Sequence, residues 1–134
     1  MSQEGLDVVR RHIEAYGRED VSGALSFLDP FVVWDPSRVG PADAKAAFGH
    51  EAVAEAIARY VGAFKDYVYE VDRLTDLGSG AILAVATEAG RGKGSDAPVR
   101  RSLALLYTVL EGKITRMTVF ASEEQALEAA DLNE

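Results

Sequence analysis

Cysteine is absent from the 134 residues, so neither a disulfide framework nor a thiolate metal site can form. Histidine is scarce: only His12 and His50 offer imidazole, which leaves a structural zinc without ligands and no metal site to expect. Basic side chains are in deficit, 14 against 22 acidic, for a formal charge of −8. A surface of that sign repels phosphate backbones and anionic headgroups, which argues against nucleic-acid and membrane partners. No apolar run approaches the roughly 18 residues of a membrane span. The opening "MSQEGLDVVRRHIEAY" is charged from its fourth residue, so neither a signal peptide nor an anchor is expected, and a cytoplasmic protein is the default. Internal repeats and low-complexity segments are also missing. What remains is a chain of 48% hydrophobic content, the size of one globular domain spanning 1–134.

Apolar residues at Leu6, Val9, Ile13 and Tyr16 fall at helical spacing and predict a first helix to about Tyr16. Asp20 reads as the N-cap of a short second helix in "VSGALSFL", stopped by Asp29 and Pro30. A strand "FVVWD" follows, ending on Asp35 and Pro36. From Pro36 to Gly49 the chain is polar and irregular, long enough for a functional loop. "HEAVAEAIARYVGAF" then sets Val53, Ile57, Tyr60, Val61 and Phe64 on one face of a third helix. Beyond it the period drops to two. Four strands are predicted, joined by turns at "LGSG", "GRGKGSDAP" and "EGK", hence an antiparallel sheet. Ser122 with Gln125 forms a capping box ahead of a last helix in "EEQALEAADL". The glycine-rich "GRGKGS" precedes a strand rather than a helix, so it reads as a hairpin turn and not a phosphate cradle.

This order, with "RRHIEAYGRED", "FLDPFVVWDP", "GHEAVAEAI", "GRGKGS", "LEGKITRMTVFAS" and "EEQALEAADL", resembles the NTF2-like superfamily, and within it the SnoaL-like polyketide cyclase and ketosteroid isomerase-like branch. The resemblance covers nearly the whole chain. It implies an α+β fold in which a cone-shaped, curved antiparallel sheet and N-terminal helices enclose a largely apolar pocket, usually in a homodimer. It also implies a cofactor-independent isomerase or cyclase that abstracts a proton next to a carbonyl of a small hydrophobic ketone. The alternative is a non-catalytic small-molecule-binding or dimerisation module, since fold alone does not fix function.

Asp35 occupies the position of the isomerase base in that family. Pointing into the cone it would be desolvated, with a raised pKa that suits a base; capping the turn at Pro36 it would be structural. An isomerase also needs donors for the developing oxyanion. The family's tyrosine position falls on His12 and its aspartate position at or next to Leu106, which cannot donate. Alternation places Ala84, Ala86 and Glu88 inward, with Val85 and Thr87 on the other face, so Glu88 is a second candidate carboxylate. Tyr16 is the tyrosine expected nearest Asp35. Tyr60, Ala84, Ala86, Leu106, Met117 and Val119 complete the expected pocket, while Trp34 alternates away from Asp35. Arg116, Thr118 and Phe120 are assigned to the opposite face, which offers a dimer surface. One of Arg100 and Arg101 should point inward, by a register the sequence leaves open.

Overall fold

The computed structural model describes residues 3–39 and 44–132. Its elements run α1 (Gln3–Gly17), α2 (Val21–Leu25), β1 (Leu28–Asp35), β2 (Ala47–Phe48), α3 (His50–Gly62), β3 (Phe64–Gly78), β4 (Ala81–Gly92), β5 (Pro98–Leu110), β6 (Lys113–Phe120) and α4 (Glu123–Leu132). The six strands form one curved, open sheet in the order β2-β1-β6-β5-β4-β3. Five strands were expected; the two-residue β2 is the addition, pairing antiparallel to β1 through Val33 with Phe48 and Trp34 with Ala47. It lies in the polar stretch assigned no structure, too short to leave a periodic signal. The middle of that expected loop, 40–43, lies outside the described residues.

Local chemistry explains the boundaries. The Gly23 N–H donates to Asp20 Oδ1 at 2.9 Å, so Asp20 caps α2 as expected. The Gln125 N–H donates to Ser122 Oγ at 3.2 Å and starts α4. The second helix is shorter than predicted, because Leu28 already belongs to β1. That strand is also the exception to antiparallel pairing: it lies parallel to β6, with Trp34 beside Met117 and Asp35 beside Thr118. His50 fastens the start of α3 to β1 through its Nε2 and the Leu28 carbonyl, 2.8 Å apart.

Two cores follow from strand alternation. On the concave face, Val9 of α1 and Val53 of α3 pack with Val32, Trp34, Ile82, Ala84, Leu103, Leu105, Tyr107, Met117 and Val119. On the convex face, Leu83, Ala104, Leu106 and Phe120 pack under Ala126 and Ala130 of α4. Met117 and Val119 therefore line the inner wall as expected. Leu106 does not: its neighbours Leu105 and Tyr107 take the concave side, and a one-residue step sends Leu106 under the C-terminal helix. Phe120 is covered by α4 and by the Arg38 guanidinium, 5.0 Å above its ring, so that part of the expected dimer face is occupied from within the chain.

The β3–β4 turn depends on Gly80, whose φ is +82° and whose added Cβ would meet the Val109 carbonyl. Gly80→Ala should destabilise the protein by about 1–3 kcal/mol in urea unfolding. Gly17→Ala, in the last turn of α1 with nothing near its Cβ, should instead stabilise by about 0.4–1 kcal/mol. Equal effects would contradict the turn geometry.

Candidate functional site

The inner face of β4 carries Ile82, Ala84, Ala86, Glu88 and Gly90 in succession, small residues around one carboxylate. Gly90 allows β3 to press close: an added Cβ would stand 3.1 Å from the Lys65 carbonyl and 3.4 Å from Tyr67 Cα. There β3 bulges between Lys65 and Val68, with Asp66 at φ 53°. Tyr67, within the bulge, and Tyr69, beyond it, both face the interior.

Glu88 is almost wholly buried, its side chain 1% exposed. It accepts the Tyr67 hydroxyl on Oε1 at 2.7 Å, and on Oε2 the Tyr60 hydroxyl and Arg101 Nε, each at 2.6 Å. Arg101 lies directly across from Glu88 in the β4–β5 register, which decides between the two arginines. Its Nη2 also donates to the Tyr60 hydroxyl at 2.8 Å. Burial works against the Arg101 charge, but its bonds to Glu88 and Tyr60 outweigh that effect and raise its pKa. Burial, then the bond to Glu88, pushes Tyr60 up to about 12 and Tyr67 up as well. Both stay protonated donors at neutral pH. The Arg101 side chain is 40% exposed, so the cluster presents a cation to the outside, backed by a carboxylate.

The rings of Trp34, Phe64 and Tyr67 close around Tyr60, with centroids 6.1, 5.8 and 6.3 Å from it. Depressions in the surface lie elsewhere, one beside Phe48, Glu55 and Arg59, another beside Arg38 and Glu128. Deeper in the cone, Tyr107 is fully enclosed beside Tyr69, Tyr16 and His12. His12 Nδ1 lies 2.9 Å from the Ala24 carbonyl. A carbonyl only accepts, so Nδ1 carries the hydrogen; burial lowers the pKa of the ring and keeps it neutral. His12 Nε2 is therefore a lone pair, and the oxyanion donor expected of His12 is the one role its tautomer denies it.

Asp35 falls outside this assembly. Val32 and Trp34 take the concave face, so Asp35 stands on the convex side beside Thr118. It accepts the Ser37 N–H at 3.0 Å and the Ser37 hydroxyl at 2.6 Å, and Arg116 Nη2 reaches it at 3.3 Å. Burial alone would raise its pKa, but the Ser37 hydrogen bonds and the charges of Arg116 and Arg38 hold it below the ordinary value. The expectation of a raised pKa is thus reversed, and the turn-capping alternative describes its contacts. Tyr16 lies with His12, not with Asp35. Of the expected residues, Glu88, Tyr60, Ala84, Ala86, Met117 and Val119 share the inner face with His12 and Tyr16. Tyr67, one of five tyrosines whose periodicity makes them plausible pocket residues, and Arg101, the inward one of the two adjacent arginines, join them at Glu88. The signal for Arg101 was present in the alternation Arg101, Leu103, Leu105, Tyr107.

Among the described residues, no three His, Asp or Glu side chains are placed to hold a metal, and no helix is long and apolar enough to cross a membrane.

Residues 9–117 match the SnoaL-like domain. The chain belongs to that family. No curated protein matches it in sequence. An NTF2-like protein of Burkholderia thailandensis superposes with a TM-score of 0.80 at 20% identity, covering 100% of this chain and 99% of that one. TerC, crystallised with polyporic acid, gives 0.77 at 16% identity over 96% and 99%. An LEH-like epoxide hydrolase of M. tuberculosis gives 0.70 at 18% identity over 95% and 84%. At these identities the likeness carries the fold alone.

Arg101→Met strands a buried carboxylate and should cost about 3–5 kcal/mol, whereas Glu88→Gln leaves a half-exposed guanidinium that water can reach and should cost about 1–3 kcal/mol. Urea midpoints for the two variants check that order. Because the Asp35 pKa is depressed on folding, its stabilising effect is full above the unfolded value of 3.8 and is lost as pH falls through the folded one. Asp35→Asn should therefore be less stable than wild type at about pH 7, and the gap should narrow by about pH 3. A gap that widened in acid would reverse the assignment.

Proposed function

We propose that this SnoaL-like protein binds a small apolar molecule through an anionic or enolic oxygen, with Arg101 as the recognising group and Glu88 and Tyr60 holding it in position. The observation that carries this reading is the Glu88–Arg101–Tyr60–Tyr67 network, in which a buried carboxylate and a phenol oxygen fix a partly exposed arginine side chain. A guanidinium fixed in advance, with N–H groups left over from its bonds to Glu88 and Tyr60, suits an oxyanion, because no reorganisation is needed when the charge arrives. The small-molecule ligand of the TerC neighbour supports a role of the same kind.

Isomerase or cyclase chemistry is the second reading, favoured by the same cation: an enolate formed next to a ketone carbonyl would meet Arg101. Glu88 is a weak choice of base there, since its two oxygens already accept three hydrogen bonds. The bare Nε2 of His12 is the better-placed acceptor by its tautomer. The homodimer belongs with this reading too. Its surface would be the convex strands that α4 leaves uncovered, around exposed Val68, and sedimentation at micromolar concentration tests it.

The sole tryptophan, Trp34, stands edge-on to Tyr60 and reports on the site. Titration with 2-naphthoate, an apolar anion, should change its fluorescence saturably, and Arg101→Met should weaken binding about tenfold or more. Equal affinity in the variant would remove Arg101 from the site.

A further inference from the structure

Basic side chains are scarce in this chain, 14 against 22 acidic, yet the turn "GRGKGS" and its flanks are crowded with them. Residues 91–101 carry Arg91, Lys93, Arg100 and Arg101 against a single carboxylate, Asp96. The β3–β4 register adds a fifth cation, because Lys65 lies directly opposite Arg91. Like charges in that position destabilise a sheet, and here one carboxylate serves both: Asp96 stands 3.4 Å from Lys65 Nζ and 3.5 Å from Arg91 Nη1. The Asp96 N–H donates to the Gly92 carbonyl at 2.8 Å, so the bridging residue is held by the backbone of the turn itself. Lys93 and Arg100 are exposed and, among the described residues, form no ion pair.

This crowding is next to Arg101. Glu88 pairs with Arg101 in the β4–β5 register, and Arg91 pairs with Pro98 three positions further along the same strands, a distance of about 10 Å at the rise of a strand. The screening length at 0.1 M salt is also about 10 Å, so these charges act on whatever approaches the Arg101 guanidinium. Outside the Glu88–Arg101 pair, the strand ends and turn at 64–66 and 90–100 hold four cations, Lys65, Arg91, Lys93 and Arg100, against Asp66 and Asp96. The chain as a whole carries −8, and its acidic surplus is concentrated in such elements as α4, which has four acidic side chains and no basic one.

An anion is repelled at long range by a chain of that charge, so a centre that binds one needs a local reversal of sign. We infer that the β4–β5 turn, through Lys93 and Arg100 with the Asp96-bridged pair beside them, is an electrostatic guide that speeds the arrival at Arg101 of a ligand already ionised in solution. This rests on the proposed binding centre and narrows its ligand class: a carboxylate or acidic enol that arrives charged, rather than a hydroxyl that loses its proton at the site. Lys93 and Arg100 act across solvent and touch no ligand, so they set the rate of association and leave the rate of dissociation to Arg101.

Stopped-flow mixing of the full chain with 2-naphthoate, read by Trp34 fluorescence, tests the guide through the sign of its salt dependence. If the turn governs the approach, the association rate should fall about twofold or more between about 10 and 100 mM salt. If the net charge governs it, the rate should rise, and a rise or no change overturns the guide. Lys93→Glu/Arg100→Glu should slow association about tenfold at low salt and leave dissociation unchanged. Faster dissociation in that variant would make the two residues ligand contacts and overturn their role at a distance. 2-Naphthol, whose hydroxyl is neutral at about pH 7, should associate at a rate indifferent to salt; a parallel fall would show salt acting on the protein itself and sink the proposal. A salt-indifferent 2-naphthoate rate, with binding still weakened by Arg101→Met, removes the guide and leaves the Arg101 centre standing. Binding of neither probe overturns both.

Discussion

A carboxylate buried to 1% exposure cannot stand alone, and much of this interior is arranged around that constraint. An ionised Glu88 without partners would be too costly to bury, so its surroundings supply two phenols and a guanidinium from three different elements. Tyr60 ties in α3, Tyr67 the bulged start of β3, and Arg101 the beginning of β5. The charge thus acts as a joint: the helix and the two strands flanking β4 are registered on one side chain. Gly90 and the bulge at Asp66 are the backbone adjustments that bring Tyr67 within reach.

The same joint determines what the site can do. A carboxylate whose oxygens already accept three hydrogen bonds is an anchor, so the chemistry passes outward to the arginine it holds. Arg101 keeps exposed surface while its charge is stabilised from behind, the arrangement expected of a group that meets a ligand anion rather than one that only closes a core. The aromatic rings around Tyr60 add apolar surface next to this polar cluster.

Strand parity explains why the first candidate base is not part of it. Along β1 the concave positions fall to Val32 and Trp34, and Asp35 is left on the other face with Ser37 and Arg116. The Asp-Pro turn that made Asp35 conspicuous is itself the reason its oxygens are occupied. On β5 the same parity turns Leu106 under α4 and Tyr107 into the core. Each reversal is a single-residue step, and a single step exchanges the two faces of a strand.

Hydrophobic period, caps and turn glycines were legible because they act within a few residues. They predicted the three N-terminal helices, four of the strands after "HEAVAEAIARYVGAF", the Asp20 and Ser122 caps, and the inward set Ala84, Ala86 and Glu88. The family was legible for the same reason, as an ordered series of such local signals. Other features depend on contacts between residues far apart in the chain. The pairing of Arg101 with Glu88 is set by the β4–β5 register, the convergence of Tyr60 and Tyr67 on it by the packing of α3 and a bulge, and the tautomer of His12 by a carbonyl on α2. Local sequence determines which groups a strand or helix carries. Which of them meet in one low-dielectric interior, and hence which charges and protons they can hold, is decided only when the sheet curves and the helices close on it.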